Sequence, residues 1–151
     1  MRKAVRAIVI KDDALLVMHR NKFGQEYYTL IGGGIDVNEA PEQALLREIS
    51  EETSLEVKNP RLVFVEEAGD PYGTQYIYLC DYVSGEPVLM QDSIEAKIHA
   101  DGKNLYKPLW LKLRYLPTTN FLSRRLKQAI LEGVENGWPA EPVDITHKYQ
   151  L

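Results

Sequence analysis

Cysteine is almost missing from this chain: Cys80 is the only one in 151 residues. An intrachain disulfide and a cysteine-rich zinc site are thereby excluded. Histidine is scarce as well, and His19, His99 and His147 show no metal-ligand spacing. Long apolar runs are also lacking. Arg2, Lys3 and Arg6 lead into Ala7-Ile8-Val9-Ile10, but Lys11-Asp12-Asp13 ends the run far too soon for a signal peptide or a transmembrane helix. A cytoplasmic protein that engages no membrane is therefore expected. Positive charge is not in excess: Lys+Arg 18 against Asp+Glu 22 gives a net charge of −4. That balance argues against stable binding to nucleic acid, while leaving room for a local basic pocket. With no repeat, low-complexity tract or linker, one domain over residues 1–151 is the expectation.

What the chain does have is a concentrated set of glutamates. From Gly33 to Leu55 it reads G-G-I-D-V-N-E-A-P-E-Q-A-L-L-R-E-I-S-E-E-T-S-L. A glycine turn runs into a helix beginning near Ala40 or Pro41. Asn38 is a plausible cap, Pro41 suits the first turn, and Glu39 and Glu42 favour the positive end of the helix dipole. Ala44, Leu45, Leu46, Ile49 and Thr53 supply its apolar stripe. Glu48, Glu51 and Glu52 stand at i, i+3 and i+4, on one side of that helix. Like charges at this spacing destabilise a helix, so the cluster reads either as a solvated helix face or as a site for a compensating divalent cation. Mg²⁺ or Mn²⁺ suits an all-oxygen donor set.

Around this segment, strands and helices interleave without a strict βαβ rhythm, which predicts an α/β domain with a mixed sheet. Residues 4–10 and 15–18 read as a hairpin about Asp12-Asp13. Residues 27–31 read as a strand stopped by Gly32-Gly33-Gly34. Further strands are expected at 61–65 and 75–83, with a turn at 70–73 and another at 84–87. Residues 88–106 read as a loop, and 109–113 as a short strand. Phe121 to Val134 reads as an amphipathic helix carrying Leu122, Leu126, Ile130 and Leu131. The tail beyond Gly137 has no clear period.

The glycine-to-glutamate segment resembles the Nudix box, G-x5-E-x7-R-E-U-x-E-E-x-G-U with U a bulky aliphatic. Gly33, Glu39, Arg47, Glu48, Ile49, Glu51, Glu52 and Leu55 fall on its defined positions, and Ser54 replaces the usual glycine. The resemblance implies a Nudix-like α/β/α sandwich. It also implies divalent-metal-dependent hydrolysis of a pyrophosphate linkage in a nucleoside diphosphate derivative: a (d)NTP, ADP-ribose or a nucleotide sugar. On that reading Glu48, Glu51 and Glu52 bind Mg²⁺ or Mn²⁺ and carry the catalysis, with Glu48 a candidate base. The Gly33 carbonyl joins the metal ligands, and Glu39 and Arg47 brace the loop against the helix. Glu95, then Glu67, are candidates for a further acidic ligand or base. The partner is a small-molecule nucleotide, and the oligomeric state stays open, a homodimer included.

Ser54 falls where a helix often ends in a left-handed residue, so a serine there costs about 1 kcal/mol of backbone strain and removes no ligand. Tyr76, Tyr78 and Tyr82 share one strand face with Cys80, which favours packing against a helix. The sharper alternative is that Tyr28, Tyr72 or Tyr76 stacks a nucleobase in a pocket. Trp110 and Cys80 read as core, and Arg20 and Lys22 are placed to meet a substrate phosphate or to lie in a solvated loop. Two other functions use the same fold: a nucleotide-binding regulatory module, and an isomerase of isoprenoid diphosphates. The first commonly loses box glutamates that this chain keeps. The second usually needs a catalytic cysteine, for which mid-strand Cys80 is a weak candidate.

Overall fold

In the computed structural model, which describes residues 2–88 and 104–149, strand β1 (Lys3–Lys11) lies at the centre. Its Val5, Ala7 and Val9 face one apolar core and Ile8 faces another, all fully buried. A strand covered on both faces reads as a near-continuous apolar run, which is why 4–10 is so uniformly β-branched and small. The chain continues through β2 (Ala14–Lys22), β3 (Gln25–Thr29), β4 (Ile31–Gly34), helix α1 (Pro41–Thr53), β5 (Glu56–Glu67), β6 (Thr74–Ser84) and β7 (Asn104–Lys112). A 3-10 turn at Leu113–Thr118 leads to helix α2 (Arg124–Asn136) and the short β8 (Val143–Asp144).

The strands form one mixed sheet in the order β3-β2-β1-β6-β5-β8, with β4 on β1 and β7 on β2. β1 runs parallel to β6 and β5 parallel to β8; the other pairings are antiparallel. The hairpin about Asp12-Asp13 is present, yet only Ile10↔Leu15 and Lys11↔Ala14 pair across it. Beyond those pairs β1 turns to β4 and β6, while β2 takes β3 and β7. Helix α1 packs Ala44, Leu45 and Ile49 on the core that holds Tyr78 and Cys80, with Tyr76 and Tyr82 at its margin. On the other core, α2 sets Leu126, Ala129 and Ile130 against Phe64, Ile77 and Phe121. The α/β/α layering is thus realised, and the tyrosine strand packs on a helix as its alternation implies.

Several local expectations are corrected. The glycine triplet does not stop a strand; it is one, since Gly32, Gly33 and Gly34 pair with Arg6, Val5 and Ala4. A Cβ on Gly32 would collide with the Val5 carbonyl, so only glycine permits this pairing. Asn38 adopts a left-handed conformation and does not cap α1; Ala40 is the N-cap, and Gln43 Oε1 accepts from its N–H at 3.0 Å. Leu46 is exposed, because the stripe rolls toward Glu48 and Glu52, both buried. Residues 104–106 belong to β7, which begins five residues before the expected strand. Helix α2 starts at Arg124, capped by Ser123, and leaves Leu122 outside and exposed. In the tail, β8 and the fully buried Ile145 close one sheet edge against β5. Two residues are too short a strand to leave a period in the sequence.

The segment between β4 and α1 is fixed by charge. Arg47 donates from Nε to Glu39 Oε2 at 2.8 Å and from Nη2 to Glu39 Oε1 at 3.0 Å. Nη2 also reaches the Gly34 carbonyl at 3.2 Å and Asp36 Oδ2 at 3.4 Å. This forked pairing gives the brace its geometry. At the other end, Ser54 is left-handed with φ 61°, donates its N–H to the Ser50 carbonyl at 3.0 Å, and donates Oγ to the Val88 carbonyl at 3.1 Å. Serine thus occupies the glycine position of a helix end, as expected.

Two outcomes follow for stability. The Arg47 guanidinium, with the Asp36 amide, holds the Glu39 carboxyl down from 4.5 to about 2. A lowered folded pKa means stability that is full above 4.5 and lost as the pH falls through about 2. Urea midpoints followed down this range should fall less steeply for Glu39→Gln than for the wild type. Ser54→Gly should raise stability by up to about 1 kcal/mol, less the lost Val88 hydrogen bond. Chemical denaturation measures it, and a lower midpoint would show that the bond outweighs the strain.

Candidate active site

A cavity of about 670 Å³ opens between β4, the two halves of the sheet and the start of α2. Gly32, Gly33 and Gly34 form one wall with Glu48 and Glu52 behind them. The two glutamates are four residues apart on α1, so they project from the same face. They are only 8% and 5% exposed, unusual for carboxylates in a helix that also shows a solvent face. Glu52 Oε1 accepts the Gly32 N–H at 3.1 Å, tying the helix to β4. A Cβ on Gly33 would stand 2.7 Å from the Glu48 carboxyl carbon and Oε1. Only a glycine leaves room for that carboxylate.

Positive charge meets the cluster from two sides. Arg47 Nη1 donates to Glu48 Oε1 at 2.9 Å and lies 3.5 Å from Glu51 Oε2. The hydrogen bonds to Glu39, then the charge of Glu48 and the hydrogen bond to it, raise the Arg47 pKa against the opposing effect of burial. Arg6 comes from β1; burial lowers its pKa, while the charges of Glu52 and Glu48 act the other way. Arg6 donates to Gln75 Oε1 at 3.0 Å and to the Leu30 carbonyl at 3.4 Å. Gln75 Nε2 in turn donates to the Tyr72 carbonyl at 2.7 Å, which fixes the turn between β5 and β6.

The other predicted residues separate. Glu51 is turned toward Arg47, its side chain 42% exposed, and does not line the cavity. Among the described residues, no group of three or more His, Cys, Asp or Glu is gathered closely enough to hold an ion. Glu51 is instead paired with Arg47, away from the cavity wall. Two buried carboxylates beside a glycine that makes space are nevertheless the hard oxygen donors that suit a divalent cation. Glu67 lines the cavity and accepts Thr74 Oγ at 2.6 Å. Glu95 lies outside the described residues.

Arg20 and Lys22 are strand residues of β2 and line the cavity, not a solvated loop. The Arg20 guanidinium sits 3.6 Å from the centre of the Tyr106 ring and 5.7 Å from that of Tyr27. Nη2 donates to Asn104 Oδ1 at 2.8 Å. Of the tyrosines proposed for a pocket, only Tyr72 lines it. Tyr28 stacks on His19 with ring centres 4.6 Å apart, and Tyr76 belongs to the core margin. Tyr27 and Tyr106 line the cavity and were not singled out in the sequence; strand pairing of β2 with β3 and β7 brings them beside Arg20. Trp110 meets Tyr82 edge-on at 5.6 Å, partly buried at the core margin. Cys80 is buried and its thiol is pushed up to about 12 by that burial, too high for a ready thiolate. It does not line the cavity.

Glu66 was also missed. It is 5% exposed, lines the cavity, and accepts Ser123 Oγ at 2.7 and 2.8 Å. Burial raises its pKa, with the Ser123 hydrogen bond acting against. One signal was available: Glu66 is two residues from Phe64, so strand alternation places it on the inward face.

Known proteins with similar sequence and fold fit this geometry. The NUDIX domain profile matches residues 1–103. The chain is 32% identical over 119 residues to the NAD-capped RNA hydrolase NudC of Edwardsiella ictaluri, covering 77% of this chain and 42% of that protein. It spans about two fifths of the length of the curated relatives it matches. A MutT NUDIX hydrolase from Burkholderia pseudomallei superposes with a TM-score of 0.63 at 24% identity, over 83% of this chain and 94% of that one. An ADP-ribose pyrophosphatase from Streptococcus suis superposes with a TM-score of 0.67 at 18% identity, over 95% and 98%. At these identities the structures establish the fold, an α/β domain with a mixed sheet. Since the profile match takes in the glycine strand, the glutamate helix and more than half of the sequence, the chain belongs to the NUDIX domain family.

Proposed function

We propose that this chain is a Nudix-type pyrophosphohydrolase that hydrolyses a phosphoanhydride in a small nucleoside diphosphate derivative with the help of Mg²⁺ or Mn²⁺. One observation carries the reading: two buried carboxylates, Glu48 and Glu52, form one wall of a cavity that Arg2, Arg6, Arg20 and Lys22 also line. Carboxylates suit a hard cation and the basic residues suit phosphate oxygens; a pyrophosphate needs both.

Glu48, Glu51, Glu52 and the Gly33 carbonyl are the residues that would hold the ion. When bound, a divalent ion neutralises phosphate charge, polarises the phosphoryl group and lowers the pKa of water. The chain's own groups supply the rest. Arg47 orients Glu48 and Glu51, and the Gly32 amide fixes Glu52. Arg20 and Lys22 are placed to neutralise phosphate oxygens, while Tyr27 and Tyr106 offer flat faces for a base. Glu48 can accept the proton of attacking water.

The relatives are named for hydrolysis of substrates ranging from NAD-capped RNA to ADP-ribose, so they leave the substrate class open. The net charge of −4 supports a small nucleotide over a long nucleic-acid footprint. The described part of the chain contains no helix long and apolar enough to cross a membrane. A regulatory module would need no intact box, and an isomerase would need a reactive thiol; the kept glutamates and the burial of Cys80 disfavour both.

Purified protein should release product from at least one member of a pyrophosphate panel when Mg²⁺ or Mn²⁺ is present, and from none after EDTA. Silence across the panel with either metal would sink the proposal. Glu52→Gln should lower kcat on the order of 100-fold or more while leaving the circular dichroism spectrum unchanged.

A further inference from the structure

Glu66 is a second kind of carboxylate in the cavity, held by β5 and α2 and not by the glutamate helix. Its hydrogen-bond partner among the described residues is the Ser123 hydroxyl, which reaches both oxygens and also caps α2 by accepting the Leu126 N–H at 3.1 Å. A single hydroxyl hydrogen serves one oxygen at a time, so Glu66 keeps most of its acceptor capacity. Among the described residues no cation lies within ion-pair distance of it. Arg125 influences it only through its charge, and the buried Arg125 Nε has no hydrogen-bond partner of its own. Both side chains line the cavity beside Gln75.

A desolvated carboxylate selects by sign. It disfavours a terminal phosphate and favours a group that donates protons to it. Two vicinal hydroxyls of a sugar do so together, as acidic residues do with ribose in nucleotide sites. Two of the rings that line the cavity, Tyr27 and Tyr106, belong to β3 and β7 and flank Arg20, whereas β5, β6 and α2 themselves contribute none; Tyr72, on the turn between β5 and β6, is half exposed at the cavity's margin. Their contribution is Glu66, Glu67, Gln75, Arg125 and Leu126, a surface that is mostly polar.

We propose that Glu66, oriented by Ser123, is a specificity-determining residue that binds the hydroxyls of a sugar carried on the second phosphate, so that the enzyme takes nucleoside diphosphate sugars in preference to nucleoside triphosphates. The proposal rests on the pyrophosphohydrolase reading of the same cavity. Burial that raises the Glu66 pKa accords with a carboxylate held in low dielectric for this purpose.

The test compares pairs that share a base and differ only in the attached group: ADP-ribose with ATP, and UDP-glucose with UTP. Wild-type kcat/KM should favour the sugar member of at least one pair by about tenfold or more. Glu66→Gln, nearly isosteric and still able to accept from Ser123, should lose about tenfold on the sugar through KM, with little change on the triphosphate. Glu66→Asp keeps the charge but withdraws it by one methylene, and should fall between. A wild-type preference for triphosphates, an equal loss on both members, or no change in either overturns the assignment. An equal loss carried by kcat would instead mark Glu66 as part of the chemistry or the scaffold. Calorimetric binding of the same pairs, with Ca²⁺ in place of Mg²⁺, separates this proposal from the broader one. If nothing is hydrolysed, a binding preference for the sugar that Glu66→Gln abolishes still upholds the role of Glu66, and the lack of one refutes it.

Discussion

The Arg47 guanidinium is the interaction on which the site depends. It is one side chain engaged with Glu39, Glu48, Glu51, Asp36 and the Gly34 carbonyl at once. Without it, the glutamates of α1 would repel one another along a single helical face. With it, the segment 35–40 is pinned to the helix and the β4 glycines are held against Glu48 and Glu52. A lysine could not reproduce this, since a forked planar donor is required to meet Glu39 through two parallel bonds while still reaching four other partners.

The sheet supplies the second constraint. β1 is shared between both helical layers, so it aligns the glycine strand on one side with β6 on the other. Arg6 interrupts the apolar face of β1 at the point where the cavity begins. It connects the carboxylate wall, through Gln75, to the turn that carries Tyr72. The two ends of the cavity are consequently not independent: a change in Gln75 or in the 68–73 turn bears on the electrostatics around Glu52.

On the proposed reading, chemistry and selectivity come from different parts of the chain. The box provides the carboxylates and the brace within 23 consecutive residues. The groups that can tell one substrate from another are scattered: Arg20 and Lys22 on β2, Tyr27 on β3, Glu66 on β5, Asn104 and Tyr106 on β7, Arg125 on α2. A domain arranged in this way can retain its reaction while its substrate changes, because substitutions in the scattered set do not touch the brace.

Local physics was legible in the sequence wherever the decisive contacts are close along the chain. The three glutamates and Arg47 lie within one and a half turns of helix, the left-handed end at Ser54 follows from its place in the box, and the apolar run of β1 declares a strand buried on both faces. Other features depended on partners far away in sequence. The glycine triplet is a strand only because β1 lies beside it; Asn38 yields the cap to Ala40 because Gln43 reaches back; Leu46 is outside because the helix rolls its glutamates inward. Tyr27 and Tyr106 are separated by 79 positions and meet Arg20 through register alone. Sequence by itself therefore determined the reactive segment, whose spacing is set by helical geometry, and the alternation that makes the strands. Tertiary structure decided which side chains face the cavity, because only pairing across the sheet selects among the many polar residues that alternation leaves available.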